Sequence, residues 1–310
     1  MGESKKTTGL EVVKAGMGCF ATIVAAIIGG IFLIISAERT TKTPTPPPSV
    51  TSSLSSLPAS SLNSTATSPG LTSGPPATQG TFCNGEQTWL KRPYFPENEI
   101  EECWNKEHYL TSLAHAGEQW FVVLSKQVGF TNQAYFTDSA FPKDTIRKYW
   151  DQDFDITDIY YGDGQWVVVM SKGTGFINQT YFTDVNFPKS AVQEHWDQGY
   201  SINVAAYGDG DWVVVMSQGT ALQSQVYLID SMLPKDKIKE YWDKGYDITG
   251  ITYGVSAWVI IMSEGMGYSD QSYLMQSSYP ETDINDYWDR DFNITALAFG
   301  DNSWVVAMSK

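Results

Sequence analysis

The sequence predicts a mainly β protein with short helices. Five 46-residue repeats of strand-strand-strand-helix (βββα) type are expected to close into a propeller-like ring, preceded by one transmembrane helix. Three observations carry this reading. Trp120, Trp166, Trp212, Trp258 and Trp304 lie 46 residues apart, and each opens a short apolar run ending in Ser. The pairs Phe95-Pro96, Phe141-Pro142, Phe187-Pro188, Leu233-Pro234 and Tyr279-Pro280 keep the same interval. Ahead of the repeats, Ala15 to Ala37 is a run of 23 residues without a charge. A fixed interval of this length marks copies of one supersecondary unit, each burying its apolar faces against its neighbours.

Residues 1–14 form a short polar tail. The run 15–37, at about 1.5 Å per residue, is long enough for a hydrocarbon core of about 30 Å, and too long for the apolar region of a cleaved signal peptide. Lys5, Lys6 and Lys14 precede it, and Arg39 and Lys42 follow. The positive-inside bias then places the N-terminus in the cytoplasm and the C-terminal domain outside it. Residues 38–80 read as a disordered linker, because 27 of these 43 residues are Pro, Ser or Thr and such a composition cannot offset the entropy of folding. As a flexible chain this stalk spans roughly 35–40 Å.

Residues 81–310 hold the five-repeat domain. FPKDTIRKYWDQ reads as a short helix with Pro at its start and Ile146 and Trp150 stacked one turn apart. ITDIYYG and QWVVVMS are strands joined by Asp163-Gly164, a hairpin turn pair. The VVVM run is apolar on both faces, as a strand between two layers should be. QTYFTDVNF is a third strand leading to the next Phe-Pro. The chain stops after the second strand of its fifth unit, while QTWLKRPYF at 87–95 aligns without gaps on QTYFTDVNF. The N-terminal strand 87–95 is therefore expected to complete the last unit and close the ring.

The formal charge is −15; residues 1–80 carry five basic and three acidic side chains, leaving 15 basic and 32 acidic for residues 81–310. A surface this acidic repels phosphate backbones and argues against nucleic acid as a partner. Three Cys and three His in no zinc-like spacing predict no metal and no cofactor. Cys83 precedes the closing strand and Cys103 stands where the other units carry Tyr149, His195, Tyr241 and Tyr287, so a disulfide between them is possible if the domain is exported.

Candidate binding residues come from the link after each VVVM run. Gln133, Gln179, Gln225 and Gln271 recur there, three residues beyond Phe130, Phe176 and Tyr268 in three of the units. An amide near an aromatic face suits sugar recognition; the alternative is a turn cap with a ring covering the neighbouring blade. Asp151, Asp197, Asp243 and Asp289 could form an acidic ring, or be solvated at helix ends.

WDQGYSINVAAYGDGDWVVVMSQGT, with KGTGF and EGMGY in neighbouring units, resembles the C-terminal repeat domain of plant casein-kinase-I-like kinases and of related bacterial, notably cyanobacterial, kinase-associated proteins. The likeness covers residues 81–310 and implies a domain with no assigned activity. The kinase part is missing: the chain has no glycine-rich nucleotide loop, HRD or DFG sequence. In layout alone, five units also resemble tachylectin-like sugar-binding propellers. The resulting expectation is a membrane-anchored, non-catalytic recognition module that binds a glycan or protein through repeated loops. The alternatives are a protein-interaction scaffold associated with kinase signalling and a glycosidase. The last requires two carboxylates in one asymmetric pocket, which near-identical blades do not supply.

Overall fold

The computed structural model describes residues 83–310, together with the backbones of two short strands, β1 (Glu11–Lys14) and β2 (Ile35–Glu38). The described chain is mainly β, with five short helices and five repeated three-stranded antiparallel sheets. The first sheet contains β3 (Gln87–Arg92), β4 (Tyr109–Ala116) and β5 (Gln119–Ser125), with α1 (Glu97–Trp104) between β3 and β4. The second has β6 (Asn132–Asp138), α2 (Lys143–Trp150), β7 (Asp155–Gly162) and β8 (Gln165–Lys172). The third follows with β9 (Gln179–Asp184), α3 (Lys189–Asp197), β10 (Ser201–Gly208) and β11 (Asp211–Ser217). The fourth comprises β12 (Ser224–Asp230), α4 (Lys235–Trp242), β13 (Tyr246–Gly254) and β14 (Ala257–Glu264). The fifth comprises β15 (Gln271–Gln276), α5 (Glu281–Trp288), β16 (Asn293–Gly300) and β17 (Ser303–Ser309). In every sheet the last strand in sequence lies in the middle, flanked by the strand before the helix (outer) and the strand after it (inner).

This arrangement corrects the expected phase of the repeat. The N-terminal strand β3 pairs with β5 of its own sheet, with Arg92 opposite Trp120, and the fifth sheet already holds three strands in the order β15-β17-β16. The unit is strand-helix-strand-strand, and strand 87–95 completes no other sheet. The physical reason is the helix: it returns the chain across the sheet that the preceding strand belongs to, whereas the links after the middle strands carry it to the next sheet.

Local chemistry explains the elements. Each helix has proline at its N-cap, Pro142 for α2, where the missing N–H leaves no orphan donor. Each ends in a residue with positive φ, such as Asp153 (64°) or Gly199 (81°). For α2, Phe154 N–H then donates to Tyr149 O and Asp153 N–H to Trp150 O, the paired bonds of a Schellman cap. Asp163 and Gly164 both have positive φ, 51° and 71°, as a two-residue type I′ hairpin turn requires. The fourth hairpin departs from this chemistry, since Val255 (50°) and Ser256 (57°) occupy the same left-handed positions. A β-branched residue there costs roughly 1–2 kcal/mol, so V255N/S256G should raise the thermal unfolding midpoint by an amount equivalent to about 1–2 kcal/mol.

The middle strands are buried on both faces because each sheet is packed between two others. Val168 and Met170 of β8 belong to the core shared with the third sheet, while Val167 and Val169 belong to the core shared with the first. Full burial of one valine stabilises by roughly 1.5–3 kcal/mol, so these runs dominate the packing energy. Further cores join the third sheet to the fourth and the fourth to the fifth. A fifth core joins the last sheet to the first, with Trp304, Val306 and Met308 against Phe121 and Val123. At that seam Tyr279 packs on Trp89 and Phe121, with ring centroids 4.8 and 4.5 Å apart. The inner strands neighbour one another in the order β4, β7, β10, β13, β16, and β16 lies beside β4.

Among the described residues no helix is long and apolar enough to cross a membrane. Of the span expected at 15–37, residues 15–34 lie outside the described residues, and Ile35–Ala37 is strand rather than helix: β2 pairs with β9, Ile35 opposite Thr183. β1 likewise pairs with β12. Both lie along outer strands, whose free N–H and C=O groups are available to a further strand. The linker 38–80 lies, Glu38 apart, outside the described residues.

Candidate functional site

The recurrent glutamines bridge the sheets. Gln179 begins β9 and turns its amide back onto the second sheet. Its Oε1 accepts from Trp150 Nε1 (3.0 Å) and Ile156 N (2.6 Å); its Nε2 donates to Ile156 O (3.0 Å) and Ser217 Oγ (3.0 Å). Gln133, Gln225 and Gln271 make the same four bonds, three to the preceding sheet and one to the Ser of their own middle strand. An amide has two donor hydrogens and two acceptor positions, and all are occupied. The hydrogen-bonding groups of these amides are used within the protein, as the capping alternative to sugar recognition expects. Gln87 repeats the set across the seam, bonding Trp288 Nε1, both backbone groups of Ile294, and Ser125 Oγ.

Phe130, Phe176 and Tyr268 are half-buried in the links between sheets. Phe130 packs edge-on to Tyr109, centroids 6.0 Å apart. Tyr268 has its hydroxyl pushed up to about 12 by burial, with the Asp247 carboxylate acting in the same direction. Cys83 and Cys103 form a disulfide, Cα atoms 5.4 Å apart, that ties the segment before β3 to α1. Asp151, Asp197, Asp243 and Asp289 are exposed at helix C-termini, and no metal-holding group of three His, Cys, Asp or Glu side chains occurs among the described residues.

The inner strands instead enclose a cavity of about 350 Å³, to which all five contribute. Each inner strand carries a β-bulge at one position, such as the register shift between Ile156 and Asp158, and a bulge re-aims side chains locally. In four sheets the bulged residue is Thr, and its hydroxyl meets the Ser hydroxyl of the middle strand: Thr111 with Ser125, Thr157 with Ser171 and Thr249 with Ser263 at 2.8 Å, Thr295 with Ser309 at 2.9 Å. The third sheet has Asn203 instead, and its buried Oδ1 has no hydrogen-bond partner among the described residues. One position further on, the second sheet has Asp158 where the others have Ser112, Val204, Gly250 and Ala296. Asp158 Oδ1 accepts from Ile159 N at 2.9 Å, while Oδ2 is sealed from solvent and has no partner among the described residues. Burial raises the Asp158 carboxyl to about 7, although the backbone N–H groups of Ile159 and Leu113 oppose the rise.

Sequence reasoning missed Asp158 and Asn203, although a signal was present: both depart from what the other repeats carry at the same position. Tyr160 and Tyr161 also line this cavity. Tyr161 packs on Trp166 with the rings tilted by 59° and centroids 5.1 Å apart, and Tyr160 OH donates to His115 O of the first sheet. Where inner strands end, glycine admits the neighbouring ring: a Cβ on Gly162 would lie 2.5 Å from the Cβ of His115.

The fold and the cavity define a tandem β-sheet repeat protein whose copies differ from one another most consequentially on their inner strands. The chain belongs to the family described as Domain of unknown function (DUF7477), matched over residues 77–210 and 204–310, which together span the five sheets. No curated protein matches the sequence.

Proposed function

We propose that this protein is a non-catalytic recognition module: a closed, five-bladed propeller-like ring whose ligand sits in the inner-strand cavity, tethered to a membrane by its N-terminal segment. The observation that carries the reading is the break in repetition at that cavity. The repeated Thr–Ser pairs and glutamine bridges satisfy one another, whereas Asp158 Oδ2 and Asn203 Oδ1 have no partner among the described residues, as is also true of Tyr181 OH, Trp258 Nε1 and Tyr279 OH away from the cavity; buried polar atoms without partners are costly unless something else compensates them. Ring closure draws support from Gln87, which makes at the seam the bonds that its counterparts make between sequential sheets. One carboxylate, Asp158, lines the cavity, and glycoside hydrolysis needs two. That favours recognition over catalysis.

The tether rests on the uncharged run and the Pro/Ser/Thr-rich linker. A span puts its ends on opposite sides of the bilayer, so β1 and β2 could not both stay on one domain while residues between them crossed it. Tethering thus requires β1 or β2 to leave its sheet edge.

Two experiments test the reading. A cysteine placed in the linker, with Cys83 and Cys103 replaced, should react with a membrane-impermeant thiol reagent on intact cells; reaction only after lysis would refute an exported domain. Glycan and peptide arrays probed with the detergent-solubilised full chain should give ligands lost in D158S/N203T, which restores residues found in other repeats. Retention of every ligand by that variant would move the site to the outer loops.

A further inference from the structure

We propose that a groove between the fourth and fifth sheets is the docking site of this chain's own residues 1–10, with Leu10 as the apolar anchor and Lys5 and Lys6 beside an acidic rim. The first observation is where β1 leads. It runs antiparallel along β12, and its first residue, Glu11, lies opposite Ile229. Continued by one residue, the same register sets Leu10 opposite Asp230. Residues directly opposite one another in a sheet share a face, and the faces of β12 are defined by the cores they enter. Val226 and Leu228 belong to the core shared with the fifth sheet, whereas Tyr227 belongs to the core shared with the third. Alternation then assigns Asp230, and Leu10 with it, to the fifth sheet's side. There Asp230 lines a cavity of about 570 Å³ together with Met232, Leu233 and Met275.

The chemistry of the groove fits that segment. Met232 is 71% exposed, and the other repeats carry Tyr94, Ala140, Asn186 and Ser278 at its position. Met275 stands where they carry Lys91, Thr137, Thr183 and Ile229. Two methionines therefore meet at this junction alone, and their flexible thioethers adapt to an entering apolar side chain. Asp230, Asp236 and Asp301 line the groove, and none is in an ion pair among the described residues, whereas the lining Lys237 is paired with Glu240. Unpaired carboxylates thus outnumber the one remaining lining ammonium, Lys235. In MGESKKTTGL, Leu10 adjoins β1, and Lys5 and Lys6 outnumber Glu3. The tether proposed above sets residues 1–14 and the domain on opposite sides of a bilayer, so docking belongs to the chain before insertion, and insertion empties the groove.

The test is disulfide trapping in the full chain with Cys19 replaced by serine. In the continued register Gly9 falls opposite Ser231, which is exposed next to Met232. In detergent micelles, which impose no sides, oxidation of G9C/S231C by copper phenanthroline should close an intramolecular disulfide, read by mobility on a non-reducing gel and by peptide mass. G9C/S277C, which uses the exposed equivalent of Ser231 on the fifth sheet, should not close. Burying one leucine shifts a docking equilibrium by about tenfold or more. L10D should therefore slow trapping by that factor, and K5E/K6E several-fold, with circular dichroism unchanged. In chains that float with lipid vesicles after reconstitution, trapping should be lost; undiminished trapping there keeps the docking and refutes the span. Absence of trapping in micelles, equal trapping in G9C/S277C, or indifference to L10D overturns the inference. A disulfide-linked dimer would assign the groove to a second copy and overturn it as well.

Discussion

Replacing Gln179 by alanine is expected to lower the unfolding free energy by about 4 kcal/mol or more, since it strands four groups at once. Trp150 Nε1, the N–H and C=O of Ile156, and Ser217 Oγ all lose the partner they share. Gln179 is fully buried, so water cannot replace the amide without opening the space between the second and third sheets. Each stranded buried group costs roughly 1–3 kcal/mol, less whatever relaxation recovers. Denaturant titration followed by tryptophan fluorescence would measure the loss, because Trp150 is itself one of the partners. The same substitution at Gln87 examines ring closure. In a closed ring Q87A severs a bridge like any other and costs about as much as Q179A. In an open array Gln87 would sit at a terminus, and its removal would cost well under half of that.

The second large effect has the opposite sign: D158N should stabilise the protein at pH 8 by up to about 4 kcal/mol. The Asp158 carboxyl titrates at about 7 in the folded chain, against 3.8 for an unperturbed aspartate. Between those values the native state holds a proton that the unfolded chain has released. Stability therefore falls as pH rises from about 4 to 7, with a slope of roughly 1.4 kcal/mol for each pH unit, and stays low above that. Water in the cavity would reduce the figure, which is an upper limit. Asparagine does not ionise, so D158N should lose this slope and match the wild type near pH 4. Thermal unfolding at pH 4, 6 and 8 would display the difference. The half-buried Tyr160 and His115 lie nearby; burial moves the first up and the second down.

Much of this protein was legible along the chain. The 46-residue interval, the Asp-Gly turns, the Phe-Pro helix starts and the apolar VVVM runs are local or periodic signals, and each led to the element it predicted. The phase of the repeat was not legible, because a periodic string reads the same in any frame. Only the pairing of β3 with β5 decided which strands share a sheet. The glutamines show a related limit. Their recurrence was plain, but a side chain that bridges sheets and one that meets a ligand are written with the same letter. The hydrogen bonds of Gln133, Gln179, Gln225 and Gln271 distinguish them, because they depend on atoms more than 20 residues away in the chain.

By itself, then, the sequence determined the strands, turns and helices and their fivefold repetition, since these follow from side-chain period and backbone preference within one unit. The tertiary structure decided which strands pair, where the recurrent amides point, and that Asp158 and Asn203 face one cavity. Those outcomes depend on packing between sheets, which brings distant residues together and shuts out the water that would otherwise satisfy them.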